Sequence, residues 1–400
     1  MLVSVSPMRI GLFTDTYVPE VNGVVNSVYM LAEGLDARGH EVWVIAPSHP
    51  EAPENEERVI RIPSMPLPVL PERRLASPVD IRLGKQIKNL DFDVIHTNSE
   101  FIVNHFGFRA HKRYGIPHVH TYHTIWEEYT HYLVPPAFDR PARAAARKLS
   151  ANLCGRCNRI IAPTLKTKEL LVDYGIKTVI DVVPTGVDLA RFSPVDVKDS
   201  AQVTRLKGLR KKWGLDRFST TLLMLGRMAP EKSVLELLLA MVPWLKKNPK
   251  SGLLMVGGGP QLRELNRLVE ALGLGKQVIL TGEQPWEDVP DYYRLADVFI
   301  NNSSTETQGL IFIEALASGV PLVVRHNECL TGIIEDGVSG ALVHNEKEFI
   351  PAVESLLKGE LRRKQIKQGL EAATRVSKES FVSAVEESYL KATQEQRGDV

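Results

Sequence analysis

The chain has 400 residues, 44% of them hydrophobic and 24% charged, with a formal net charge of +1. That length exceeds a usual single domain and suits two, and a bulk charge so close to zero argues against a nucleic-acid binder. Three cysteines give no disulfide framework, and no apolar run reaches the roughly 18 residues of a membrane-spanning helix.

Apolar runs alternate with amphipathic stretches. Strands are predicted at Ile10–Phe13, Val42–Ala46, Val94–His96, Val119–Thr121, Ile160–Ala162 and Val179–Val183. Helices are predicted at Val24–Arg38, Val79–Asn89, Val103–Tyr114 and Leu165–Tyr174. After about residue 190 the pattern restarts, with strands at Thr221–Leu225, Gly252–Val256, Val278–Thr281, Val298–Asn301, Pro321–Val324 and Ala341–His344. Helices Val234–Lys247, Gln261–Leu272, Leu310–Ala317 and Phe349–Leu357 lie among them. Such alternation predicts parallel sheets covered by helices, and two rounds of it predict two doubly wound α/β domains. The join is expected near Pro184–Pro194, giving domains 1–188 and 189–375 and a tail, 376–400, with an amphipathic stretch at Phe381–Ala392. Met1–Pro7 lacks the charged start and apolar core of a secretory signal, and unpaired thiols suit a cytoplasmic protein. Cys154 and Cys157 form a lone CxxC in a basic helical segment, without the further ligands that zinc needs, so helix packing is the expected use.

Two acids eight positions apart, Glu306 and Glu314, stand in Ser304–Pro321 at the start of a predicted helix. At helical rise, eight residues span about 12 Å, comparable to a sugar, a diphosphate and a ribose in series. The amides of Gln308, Gly309 and Leu310 between them form a helix N-terminus, which favours anions. Gly226 and Arg227, with Lys232 shortly after, follow a predicted buried strand, at the strand end where open α/β sheets bind ligands. Two fixed cations there can neutralise a leaving diphosphate. The bland alternatives are a solvated helix and an ordinary basic loop.

These motifs, with Met8–Asp15, Pro19–Val25, Gly39–Val42, His120–Thr124 and Pro184–Asp188, resemble the retaining glycosyltransferases of family 4. The resemblance covers nearly the whole chain and departs from the family at Thr185, where Asn is frequent. It implies the GT-B fold, two Rossmann-like domains facing across a cleft, with the last helix crossing back to the first domain. It also implies a nucleotide-sugar donor, no cofactor and no catalytic metal. By resemblance, Glu306 meets hydroxyls of the donor sugar, Glu314 the ribose, and His123 the reacting hexose. An imidazole can also move a proton; His120 is the competing histidine. Asn22, Gly23 and Val24 sit between the first strand and helix, where a glycine lets a ligand approach closely. Asp91-Phe92-Asp93 is read as a turn, not a metal site, and Gly257–Gly259 as a loop at a strand end.

The acceptor signal lies after His123. Trp126, Tyr129 and Tyr132 carry apolar bodies with polar tips, which suit an interface. Between Phe101 and Lys168 eleven basic residues face three acids, 11 − 3 = +8. Such a surface, with Arg143, Arg147 and Lys148 at its centre, can dock on anionic lipid. His120–Thr124, Glu127–Tyr132 and Glu306–Leu310 resemble the bacterial diacylglycerol glucosyltransferases of the family. That resemblance implies UDP-glucose as donor, diacylglycerol as acceptor and a place on the cytoplasmic face of the membrane. The same chemistry on another acceptor, such as phosphatidylinositol with GDP-mannose or a soluble sugar, stays open. So does an epimerase or hydrolase on the same fold.

Overall fold

The computed structural model describes residues 6–20, 22–67, 70–128, 130, 134–135, 138–357 and 359–398. The chain divides into two compact units, Met1–Gly186 with Lys378–Val400, and Val187–Ser377.

The first unit runs β1 (Arg9–Phe13), α1 (Gly23–Asp36), β2 (Glu41–Pro47), β3 (Val59–Ile62), β4 (Ser64–Leu67), β5 (Leu70–Ala76), α2 (Ile81–Leu90), β6 (Val94–Thr97), α3 (Ile102–Tyr114), β7 (His118–Thr121), α4 (Asp139–Cys154), β8 (Arg159–Ala162), α5 (Leu165–Asp173) and β9 (Val179–Val182). The second runs α6 (Ser200–Lys212), β10 (Thr220–Leu225), α7 (Val234–Lys247), β11 (Ser251–Val256), α8 (Leu262–Ala271), β12 (Val278–Leu280), α9 (Val289–Arg294), β13 (Val298–Asn301), α10 (Leu310–Ala317), β14 (Leu322–Arg325), β15 (Ala341–Val343), α11 (Phe349–Leu356) and α12 (Gly359–Thr374). The last helix, α13 (Lys378–Arg397), belongs to the first unit.

Each unit is built on a parallel sheet, ordered β3-β2-β1-β6-β7-β8-β9 in the first and β12-β11-β10-β13-β14-β15 in the second. The strands read as near-continuous apolar runs because both faces are covered. Alternation sends Ile10 and Leu12 of β1 into a core under α1 and α13, and Phe13 into a second core under α2 and α3. In the second unit Leu222 and Met224 face α7, while Leu223 and Leu225 face α9, α10 and α12. Strand order reverses between β1 and β6, and between β10 and β13. Crevices at such switch points lie at the carboxyl ends of the strands.

Several elements are invisible to hydrophobic period. Only Leu206 of α6 is buried, and α12 packs with Gln365, Gly369, Ala372 and Ala373, none of which makes an apolar stripe. Prolines and charges mask the antiparallel β4–β5 pair. Cys154 ends α4 and is buried, whereas Cys157 lies beyond the helix, so the CxxC is not a helical pair.

Polar contacts fix α13 as firmly as its apolar face does. Glu386 accepts from His40 Nε2 and Arg38, each at 2.7 Å, Tyr389 meets His96 Nδ1 at 2.7 Å, and Arg159 joins Asp181 to Glu395. Glu386→Ala is expected to lower the unfolding free energy by about 3 kcal/mol, because it strands buried partners. Glu387→Ala, at a carboxylate 65% exposed beside Lys391, is expected to change it by under about 0.5 kcal/mol. Equal urea midpoints for the two variants would contradict this account.

Candidate active site

In the second unit the carboxyl ends of β10, β11 and β13 converge. The chain turns after β10 at Gly226 and after β11 at Gly257, and the two turns pack backbone on backbone. Gly226 N donates to Val256 O at 3.0 Å and Met228 N to Gly258 O at 2.7 Å. Gly257 has φ +140°, and a Cβ there would lie 2.0 Å from Gly226 O, so no other residue fits without moving the turn.

The loops after β10 and β13 are tied twice. Thr305 Oγ1 donates to Glu231 O at 2.9 Å, and Lys232 Nζ donates to Glu306 Oε1 at 2.6 Å. Both side chains of that ion pair are largely buried. From below, Asn327 Nδ2 donates to Ser304 O at 2.7 Å and holds the loop that carries Glu306. The expected pair of fixed cations is thus unequal. Lys232 is held by Glu306, whereas Arg227 is half exposed and 4.0 Å from Glu231.

Gly309 sits before α10 with φ +72°, the left-handed geometry that glycine tolerates, and no side chain caps the helix. Gln308 is buried beside it, and Leu310 is the first helical residue. The 12 Å reckoning from Glu306 to Glu314 assumed helix throughout, but helix begins only at Leu310, so that span is not a helical rise. Glu314 is buried on α10, where its Oε2 accepts Tyr293 OH at 2.8 Å. Burial pushes its carboxyl up to about 7, opposed by the Tyr293 hydrogen bond and the Arg191 charge. Arg191 lies over the Trp286 ring, 3.1 Å from its centroid. Sequence reasoning missed Tyr293, Arg191, Trp286, Thr305 and Asn327, since each acts through a neighbour distant in the chain.

In the first unit, β1, β6 and β7 are neighbours, and their carboxyl ends gather a polar cluster. Asp15 Oδ1 accepts Val103 N at 2.8 Å and Oδ2 accepts Ser99 Oγ at 2.6 Å, so this carboxylate caps α3 across the sheet. His123 is partly buried, with Nε2 donating to Asn98 Oδ1 at 3.2 Å. Burial and the nearby His120 push its imidazole down to about 3. It is therefore a neutral imidazole near pH 7, able to hydrogen-bond with a ligand. His120 lies deeper, with Nδ1 at 2.8 Å from Thr97 Oγ1 and Nε2 at 3.6 Å from Glu100. Burial lowers its pKa, but Cys154 and Glu100 outweigh that and raise it to about 10.

Trp126 Nε1 donates to Glu100 Oε2 at 2.9 Å and packs edge-on against Phe101. Tyr129 and Tyr132 lie outside the described residues. Asn22 has a structural task, since its Oδ1 caps α1 by accepting Val24 N at 3.0 Å and Val25 N at 3.1 Å. Gly23 is exposed, with open space where a Cβ would stand. Asp15, Asn98 and Glu100 were not singled out in the sequence, although the polar run after the apolar β6 was the available signal. Asp91 ends α2 in a left-handed turn and Asp93 accepts Arg9 N at 2.7 Å, so Asp91-Phe92-Asp93 is a turn. Among the described residues no cluster of three or more His, Cys, Asp or Glu has the geometry to hold a metal ion.

Each unit is thus a Rossmann-like parallel sheet covered by helices, with a polar cluster at the carboxyl ends of its central strands, the architecture of the GT-B fold. A solved structure from Anabaena, Alr3699/HepE in complex with UDP, shares the fold with a TM-score of 0.73 at 17% identity, covering 96% of this chain and 100% of that one. Residues 21–191 match Glycosyltransferase Family 4 and residues 207–372 match Glycosyl transferases group 1. The alpha-monoglucosyldiacylglycerol synthase of Streptococcus pneumoniae strain R6 is 34% identical over 96% of this chain and 86% of its own length. That of Acholeplasma laidlawii is 35% identical over 86% of each. The chain belongs to glycosyltransferase family 4, and it is a hexosyltransferase.

Proposed function

We propose that this enzyme moves glucose from UDP-glucose to the 3-hydroxyl of 1,2-diacylglycerol with retention, giving alpha-monoglucosyldiacylglycerol. It works peripherally at the inner face of the cell membrane, without a cofactor or metal. The observation that carries the reading is the 34% identity to the Streptococcus pneumoniae synthase over nearly the whole chain.

The residues supply a consistent chemistry. As the sugar–phosphate bond opens, negative charge grows on the departing diphosphate. Lys232, Arg227 and the amides at the start of α10 are aimed to lower that cost. Glu306 accepts hydroxyls of the hexose, Glu314 accepts the ribose diol, and neutral His123 orients by hydrogen bonding. Gly226, Gln308, Gly309 and Leu310 shape the backbone around the donor. Asn22, Gly23, Val24, Trp126 and Tyr129 are assigned to the acceptor side. Among the described residues no helix is long and apolar enough to cross a membrane.

The deciding experiment offers labelled UDP- and GDP-sugars against lipid and soluble acceptors and assigns the anomer of each product. Transfer of glucose from UDP-glucose to diacylglycerol as the α-anomer supports the proposal. Mannose transfer from GDP-mannose to phosphatidylinositol, activity on soluble sugars alone, or a free isomerised or hydrolysed sugar overturns it.

Glu314 gives this reading a pH signature. Ribose hydroxyls donate to a carboxylate, so the ionised form is the binding form. With a carboxyl at about 7, affinity for UDP-glucose is expected to rise about tenfold from pH 6 to pH 8. Glu314→Gln is expected to flatten the profile in calorimetric titrations, and a slope unchanged in that variant contradicts the role. Without ligand the sign is opposite. The raised carboxyl adds stability fully below its ordinary 4.5 and loses it as pH rises through about 7.

A further inference from the structure

The 2.6 Å contact between Lys232 and Glu306 joins two residues assigned to different parts of the donor. We infer that Glu306 is the resident counter-ion of Lys232 and that donor binding exchanges this pair, so that Glu306 discriminates the intact donor from the spent nucleoside diphosphate. This rests on the nucleotide-sugar reading above and deepens it.

Both partners are mostly shielded from solvent, at 17% and 11% side-chain exposure. Removing one charge's partner at such a place is costly unless another takes over. The loops are tied beside the pair by Thr305 to Glu231 and below it by Asn327 to Ser304, so Glu306 does not simply swing into water. A diphosphate that draws Lys232 away must leave the Glu306 carboxylate with a new donor. An intact nucleotide sugar brings one, because the hexose hydroxyls arrive together with the phosphates. The product diphosphate brings phosphate charge but no hexose hydroxyls, and meets an uncompensated carboxylate nearby. It therefore competes with Glu306 for Lys232 and is held less tightly. The ion pair re-forms as the product leaves, which favours turnover over product retention.

The test measures UDP and UDP-glucose affinities by calorimetry on the full chain. Wild type is expected to bind UDP-glucose more tightly than UDP. Glu306→Gln keeps the size and removes the charge. It is expected to bind UDP about tenfold more tightly than wild type, equivalent to about 1.4 kcal/mol, while transferring sugar more slowly. In a Lys232→Met background the same change is expected to give little gain, because the cation it frees is gone. Unchanged or weaker UDP binding by a folded Glu306→Gln overturns the exchange, as does an equal gain with and without Lys232. If Glu306→Gln does not fold, the wild-type order decides, and UDP binding more tightly than UDP-glucose overturns the inference. Absence of any nucleotide binding by wild type instead overturns the donor reading on which it stands.

Discussion

Lys232→Ala is expected to slow sugar transfer about 100- to 1,000-fold, the usual cost of removing one preorganised group that stabilises charge in a transition state. The ammonium belongs to the short helical turn Pro230–Lys232 just before α7, in the segment that packs against the Gly257 loop, and Glu306 holds it at 2.6 Å. Glu306 holds it near the site before any substrate arrives, and once the donor's diphosphate has taken over that pairing the cation already lies beside the leaving group when charge develops. Because that charge grows as the bond breaks, kcat is expected to fall more than KM rises. The substitution also leaves Glu306 with a lost partner, and a modest fall in melting temperature accompanies it. Lys232→Arg separates the two effects. It restores the charge and the pairing to Glu306, but a planar fork does not reproduce a compact ammonium, so stability returns further than rate does. Labelled-glucose transfer measured at saturating donor checks this. Wild-type turnover in Lys232→Ala removes the lysine from the mechanism.

The sheets were legible in the sequence because strands covered on both faces are short uninterrupted apolar runs, as Leu222–Leu225 and Leu253–Val256 show. Both carboxyl-end loops of the second unit were legible too, since Gly226, Lys232, Glu306 and Gly309 lie in compact local motifs. What the sequence does not display is pairing across the fold. Lys232 and Glu306 are 74 positions apart, and nothing in either motif says that the cation of one is neutralised by the acid of the other. Environment is equally hidden. His123 and His120 look alike on paper, yet burial and a neighbouring imidazole lower the pKa of one, while Cys154 and Glu100 raise that of the other. The task of Asn22 as the cap of α1 is likewise seen only once its side chain is placed.

The basic segment is where structure changes the experiment. Of the eleven cations counted in the sequence, Arg159 is buried between Asp181 and Glu395, and Arg147 is held by Glu127 at 2.8 Å over the Tyr174 ring. Replacing Arg147 would strand a shielded carboxylate and confound binding with stability. The free-standing charge lies elsewhere on α4, a helix of which only Ser150 and Cys154 are buried. Arg140 and Lys148 are exposed on α4, as are Leu149 on the helix and Phe138 just before it, whereas Arg143 lies 3.8 Å from Glu127 and shares that carboxylate with Arg147. A bilayer offers both phosphate for such cations and an interface for such apolar groups. Arg140 and Lys148 changed together to Gln are therefore expected to weaken partition onto anionic vesicles about 30-fold at low salt, near 1 kcal/mol per charge. Partition of the wild type is expected to fall toward that of the variant as salt shortens the screening length, and calorimetric affinity for UDP-glucose is expected to stay. Leu149→Ser adds the apolar arm, because its loss weakens binding at every salt concentration while loss of the cations is masked at high salt. Sedimentation of the double variant equal to wild type at low salt removes α4 from the membrane face and leaves its charges as a solvated surface.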